Sequence, residues 1–277
     1  MTSLQELQRN WESLAQEDPL WSICTDPEKR HHRWEIDEFF ATGKREIEIV
    51  MEHLRGLEIP IDRSAPALDF GCGVGRLTRA LAEYFPDCFG VDISPTMIRL
   101  AEDFNLSYPR CHFRLNQSPD LQIFEDRCFG FIYTSIVFQH IERSYVEKYL
   151  AELVRTLKPG GILVFQIVDR FHAGAVARLR HRLKIRRRIS RWFKAGQDTF
   201  QMEMHCLPES QVRELLKGLK VRISDVRRTN SAEPDFNGRL QFLDHDPEHG
   251  FISKQYCVIK NPLHDCSDQC KSALISG

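Results

Sequence analysis

The chain has 277 residues, of which 42% are hydrophobic and 28% charged, and its formal net charge is −1. That length buries the core of one domain with additions, and so small a net charge argues against wholesale electrostatic binding to nucleic acid or membranes. No apolar stretch approaches the roughly 20 residues that span a bilayer, and nine cysteines behind an N-terminus lacking the basic start and apolar core of a signal peptide point to reduced thiols in a cytoplasmic protein.

Leu4, Leu7, Trp11 and Leu14 recur at helical spacing, and a second helix is predicted from about Trp34 to Leu54. Between them lies Asp18-Pro19-Leu20-Trp21, and Trp34, Phe39 and Phe40 follow. Aromatics this dense either pack a core or line a pocket from above. Residues 1–60 are read as an N-terminal helical lid.

The segment 61–169 alternates strand and helix. Ala67-Leu68-Asp69-Phe70-Gly71-Cys72-Gly73-Val74-Gly75-Arg76 reads as a short buried strand that delivers a carboxylate into a glycine turn. A helix over 75–85 begins there, so its free N–H groups and positive dipole end face a ligand. Asp92 closes the next strand, 23 residues after Asp69, where an acid can accept hydrogen bonds from both ribose hydroxyls of an adenosine. The dinucleotide fingerprint is Gly-x-Gly-x-x-Gly/Ala, whereas here the spacing is Gly71-x-Gly73-x-Gly75 and Arg76 stands where the last small residue belongs. An acid just before the turn would repel a pyrophosphate but suits a ligand with a cationic end. Ser94 is a predicted N-cap and Pro95 the first residue of a helix over 95–104, with Met97, Ile98 and Ala101 on its inner side. A third strand, Cys111–Leu115, leads to Asn116-Gln117. A fourth, Cys128–Thr134, is apolar without clean alternation, as a strand buried on both faces should be. A helix over 143–157, the turn Lys158-Pro159-Gly160-Gly161 and a fifth strand, Gly161–Asp169, complete the segment. Alternation of this kind calls for a parallel sheet with helices on both faces.

The glycine turn, the acid before it and the acid on the next strand resemble the first motifs of class I S-adenosylmethionine-dependent methyltransferases. The resemblance covers about residues 65–170, and more weakly 205–260. It implies a Rossmann-like seven-stranded, mostly parallel sheet, with S-adenosyl-L-methionine as cofactor. Asp69, Gly71, Gly73, Gly75, Asp92, Ile93, Met97 and Thr134 would form its site. Many members of the family carry an acid that binds the adenine amino group; here Asn116 or Gln117 would serve with an amide oxygen, unless Asp120 does. The run Phe39-Phe40-Ala41-Thr42-Gly43-Lys44 is similar to a segment that comes near the methionine end of the cofactor, so Thr42, Gly43 and Lys44 are expected contacts to its carboxylate. The family places the segment Ser135–His140 beside the transferred methyl group.

Residues 170–207 form an insertion read as a basic helical cap. From Arg170 to Gln197 there are ten lysines or arginines and no acid. Val176, Leu179 and Leu183 share one helical face while Ile185, Ile189, Trp192 and Phe193 take nearly the opposite one, which predicts a bend near Leu183–Ile185. Its arginines could form a solvated helix face, hold an anionic small substrate, or meet an RNA backbone or membrane surface. Residues 208–262 return to the core, with a helix over 208–218, a sixth strand Val221–Val226 and a seventh Phe251–Lys260, which the family resemblance inserts antiparallel between the fifth and sixth. Residues 263–277 are a tail.

The chemistry expected is in-line methyl transfer to a hydroxyl of a small-molecule acceptor, with a histidine as base. His140 is the first candidate and His205 the second, and Glu203 and Asp169 are further candidates for orienting a substrate. The rival readings are an RNA or N-methyltransferase using the basic cap, and a non-catalytic cofactor-binding scaffold. No metal site is expected. Cys266 and Cys270 have no matching ligand pair, and Asp244, His245, Asp246, Glu248 and His249 read as a solvated loop.

Overall fold

A strand such as Phe129-Gly-Phe-Ile-Tyr-Thr134 is apolar on both sides and stays out of water only when helices cover both faces of its sheet. The computed structural model describes residues 3–172, 204–233 and 236–262 and builds that arrangement. Its strands are β1 Ala67–Phe70, β2 Cys88–Asp92, β3 Cys111–Leu115, β4 Phe129–Thr134, β5 Leu157–His172, β6 Val221–Thr229, β7 Phe242–Leu243 and β8 Gly250–Lys260. They form one sheet in the order β3-β2-β1-β4-β5-β8-β6-β7. Strands β1 to β5 pair in parallel. Strand β8 runs antiparallel between β5 and β6, as expected.

The described helices are α1 Leu4–Glu17, α2 Pro19–Ile23, α3 Ile36–Gly56, α4 Arg76–Leu81, α5 Pro95–Phe104, α6 Arg143–Thr156 and α7 Glu209–Lys217. Alternate residues of each strand point to opposite faces, and the two faces bury separate cores. Leu68, Ile132, Leu163, Phe165 and Val258 pack under α6 and α7 through Leu150, Leu153, Val212 and Leu216. Ala67, Phe131, Tyr133, Val164 and Ile259 pack under α3 and α4 through Ile47, Val50, Met51, Leu77 and Leu81.

Three elements differ from expectation. The two-residue strand β7 adds an eighth member at the sheet edge, too short to leave a sequence signal. Strand β5 starts at Leu157, so Lys158-Pro159-Gly160-Gly161 lies within it, accommodated by a register irregularity at Phe129–Phe131. Helix α4 is one and a half turns long instead of spanning 75–85, giving way to turns before β2. The bend expected near Leu183–Ile185, Glu203, and the tail with Cys266 and Cys270 lie outside the described residues.

Trp34, Phe39 and Phe40 pack with Leu20, Cys24, Val74 and Met97 in a third core. The aromatics of the preamble therefore divide: these three are structural, and Trp11 is not part of that cluster.

Candidate functional site

The chain goes from β1 to β2 and β3 on one side, then crosses to β4 and β5 on the other. The carboxyl ends of β1 and β4 thus flank the switch point where open α/β sheets leave a crevice. A cavity of about 210 Å³ opens there. It is lined by the turn Phe70-Gly71-Cys72-Gly73, by Asp92, Ile93, Met97 and Asn116 from the β2 and β3 side, and by Ile136, Gln139 and His140 from the β4 side. Leu7 and Trp11 of α1, Ile23 of α2, and Ser231, Phe236 and Phe251 line it too.

Gly73 has φ +52, and a Cβ there would stand 2.5 Å from Ile23 Cδ1, so no side chain fits between the turn and α2. Its N–H donates to Asp92 Oδ2 at 2.9 Å, while Ser94 N–H donates to Oδ1 at 2.9 Å. Burial pushes the Asp92 carboxyl above its ordinary value, and these two backbone donors oppose that shift. A carboxylate has about four acceptor positions, so two donors leave room for ligand hydroxyls.

Asn116 commits both hydrogens of its amide, Nδ2 donating to Ser118 O at 3.1 Å and to Asp120 O at 2.8 Å. Its Oδ1 is therefore the atom left to accept at the cavity wall. Gln117, the alternative, is exposed and away from the cavity.

His140 lies on the cavity wall with its ring edge-on to Trp11, centroids 5.2 Å apart. Its Nε2 is 3.1 Å from Gln139 Nε2. His205 donates its backbone N–H to Gln139 O at 2.7 Å and is not among the lining residues.

A family model for a methyltransferase domain matches residues 68–165. The chain is 32% identical over 100 residues to tocopherol O-methyltransferase of Arabidopsis thaliana, a match covering 35% of this chain and 28% of that protein. It is 34% identical over 97 residues to demethylmenaquinone methyltransferase of Tropheryma whipplei, covering 35% of this chain and 39% of that one. Less than half the length of these curated relatives is thus spanned. In fold, the chain is similar to a magnesium protoporphyrin IX methyltransferase from Synechocystis PCC 6803 solved with bound SAH. The TM-score is 0.60 at 13% identity, covering 94% of this chain and 100% of that one. Residues 68–165 thus match a methyltransferase domain.

The cofactor of this domain is S-adenosyl-L-methionine, and the residues present fit it. The bare turn gives room for close approach, Asp92 offers acceptor positions, and among the described residues no cluster of cations lines the cavity. Of the cofactor residues expected from sequence, Gly71, Gly73, Asp92, Ile93, Met97 and Asn116 line the methyltransferase cavity, whereas Asp69, Gly75, Gln117 and Thr134 do not. Gly75, in left-handed conformation, caps α4. Thr134 is buried, and among the described residues its Oγ1 has no hydrogen-bond partner. Asp69 sits behind the turn, 1% exposed. Thr78 Oγ1 donates to its Oδ2 at 2.7 Å, and among the described residues its Oδ1 has no hydrogen-bond partner. Burial pushes this carboxyl up to about 7 against the pull of Thr78 and Arg76.

Thr42, Gly43 and Lys44 are likewise off the cavity of the methyltransferase domain: Thr42 accepts from Arg76 Nη1 at 3.3 Å and Lys44 pairs with Glu83 at 3.0 Å on the surface. Asp169 turns to the start of α7, accepting from Glu209 N–H at 2.6 Å, and lies 3.3 Å from Lys254 Nζ. It is not among the residues lining the cavity. In the loop 244–249, Asp246 pairs with Arg170 and Arg228, and among the described residues no cluster of three His, Cys, Asp or Glu groups could hold a metal.

Sequence reasoning missed Ser231, Ala232 and Phe236, which come from a loop with no motif. It also missed the pairing of Arg76 with Glu46, although Arg76 had stood out as the wrong residue for a dinucleotide turn.

Proposed function

We propose that this chain transfers a methyl group from S-adenosyl-L-methionine to a hydroxyl of a small-molecule acceptor, with His140 as base. The observation that carries the reading is that Asp92, on the β2 side, and His140, on the β4 side, line one cavity together with the glycine turn. Asp92 would hold the ribose hydroxyls, Asn116 Oδ1 the adenine amino group, and Ile93 and Met97 the faces of the adenine. Leu7, Trp11, Ile136 and Phe236 offer mostly apolar walls around His140, which favours an acceptor with an apolar body and a single polar reacting group. The O-methyltransferase acting on tocopherol among the relatives is consistent with that class.

The bound cofactor would supply a methyl group already activated by a sulfonium. What remains for the protein is to hold the acceptor oxygen close and in line, to keep water out, and to remove a proton. The apolar lining residues of α1 and α2 exclude water. His140, on the same wall, takes the hydroxyl proton as the new oxygen–carbon bond forms.

Screening metabolite extracts with labelled methyl donor identifies the acceptor. His140→Ala should keep S-adenosylhomocysteine affinity by calorimetry while turnover falls on the order of 10²–10⁴-fold. Unchanged turnover removes His140 as base, and absence of association with S-adenosylhomocysteine removes the reading altogether.

A further inference from the structure

A backbone N–H can only donate, and the one at Ile136 decides the orientation of a chain of buried amides. It donates to Gln166 Oε1 at 3.0 Å, which makes the other corner of that amide Nε2. Both Nε2 hydrogens are used, one on Gln139 Oε1 at 3.1 Å and one on Ser253 Oγ at 2.6 Å. Gln166 is 1% exposed. Turning its amide over would set N–H against N–H where water does not reach, at the full cost of unsatisfied buried donors. With its oxygen taken, Gln139 can present only Nε2 to His140 Nε2, 3.1 Å away. Amide nitrogen does not accept, so His140 Nε2 must, and the neutral ring carries its proton on Nδ1.

We propose that Gln166 is a positioning residue that, through Gln139, holds His140 in the Nδ1–H tautomer. The consequence for catalysis rests on the reading of His140 as base; the tautomer itself does not. With Nε2 unprotonated, its lone pair is the one that can take a proton. An acceptor hydroxyl uses it by replacing the Gln139 N–H, exchanging one hydrogen bond for another. The O–H bond then breaks, an N–H bond forms at Nε2, and the oxygen pair forms the bond to the methyl carbon as the carbon–sulfur bond leaves its pair on sulfur. Trp11, edge-on to the imidazole, resists the ring rotation that would undo the arrangement.

Nitrogen-15 NMR of the full chain labelled at histidine, with no acceptor added, tests the relay directly. The wild type should show a pyridine-type Nε2 and a pyrrole-type Nδ1 for His140; the reverse overturns the proposal. Gln166→Met keeps shape and removes both donors, and should raise the share of the Nε2–H tautomer. An unchanged wild-type pattern in the folded variant overturns the role of Gln166. Should that variant not fold, Gln139→Met on the cavity wall removes the direct donor to Nε2 and must shift the tautomer in the same direction. Gln139→Glu replaces the donor facing His140 by an acceptor, so the proton should move to Nε2; a pyridine-type Nε2 there overturns the relay. With an acceptor in hand, Gln139→Glu should lower kcat on the order of tenfold or more with KM for the methyl donor unchanged. A moved proton with unchanged kcat leaves the relay standing and overturns His140 as base.

Discussion

A carboxylate out of water needs partners for both oxygens, and among the described residues Asp69 Oδ1 has none while Oδ2 accepts from the Thr78 hydroxyl. Its carboxyl is therefore raised to about 7, against an ordinary value of 3.8. Between those values the folded chain holds a proton on Asp69 that the unfolded chain has released. Stability falls as pH rises through that window and levels off above it, by on the order of 4 kcal/mol at most. Asp69→Asn cannot ionise. Urea unfolding at about pH 5 and about pH 8 should show the wild type losing several kcal/mol more than the variant; equal losses would mean that the native carboxyl titrates normally. A cation beyond the glycine turn favours the ionised form, so the gain in melting temperature from the cofactor should be larger in wild type than in Asp69→Asn at the higher pH. Asp92 differs in having two backbone donors and a place on the cavity wall. Asp92→Ala should weaken S-adenosylhomocysteine binding by roughly 1.5–3 kcal/mol, a loss that calorimetry reads directly.

Among the elements, α1 is tied to α5 by an acidic side chain. Glu12 accepts from Ser94 Oγ at 2.6 Å, Thr96 N–H at 3.1 Å and Thr96 Oγ1 at 2.6 Å, so its carboxylate sits on the N-terminus of α5. Burial alone would push Glu12 up, and these bonds outweigh it and hold the carboxyl below the ordinary value. An anion at a helix N-terminus is in its favoured place, and Leu7 and Trp11 on the same helix are lining groups of the cavity. Glu12→Ala should release α1, costing roughly 1–3 kcal/mol of docking and speeding hydrogen exchange across residues 4–17. Unchanged protection of α1 would show that apolar packing alone holds it. Sequence reasoning found α1 from its periodicity but not this anchor, because Glu12 lies 82 residues from Ser94 and no local spacing relates them. The same division runs through the chain. Strands β1 to β4, helices α5 and α6 and the glycine turn were legible because pattern and capping residues are local signals. The split of acids into a wall residue, Asp92, and a buried one, Asp69, was not. Both precede or end a turn in the same way, and only the pairing of β1 with β2 decides which faces the cavity. The loop residues Ser231 and Phe236 were hidden for a simpler reason: a cavity wall needs a surface, not a motif.

At the scale of the whole molecule, the first 60 residues are two parts with different attachments. Helix α3 is joined to the core by a buried ion pair. Arg76 Nη2 meets Glu46 Oε2 at 2.8 Å, Tyr133 OH donates to Glu46 Oε1 at 2.8 Å, and Arg76 is 2% and Glu46 0% exposed. The helices approach closely, since a Cβ on Gly43 would stand 2.5 Å from the Arg76 carbonyl oxygen. Helices α3 and α4 and strand β4 thus meet at one charged point, with Arg76 itself on the cavity wall. Of the lid expected over 1–60, α3 is structural core, and only α1 and α2 line the site. Taking two charges out of water is expensive, so such a pair adds little net stability over an apolar substitute, yet breaking it strands a charge. Arg76→Met should therefore cost about 3–5 kcal/mol in denaturant unfolding. Arg76→Met/Glu46→Leu should recover much of that loss, because no ion is left buried, and the Tyr133 hydroxyl, deprived of its acceptor, limits the recovery. A single variant as stable as wild type would mean that the ion pair does not hold α3 to the core. A double variant no better than the single would mean that the guanidinium holds α3 against α4 by its shape and its bond to Thr42, not by its charge.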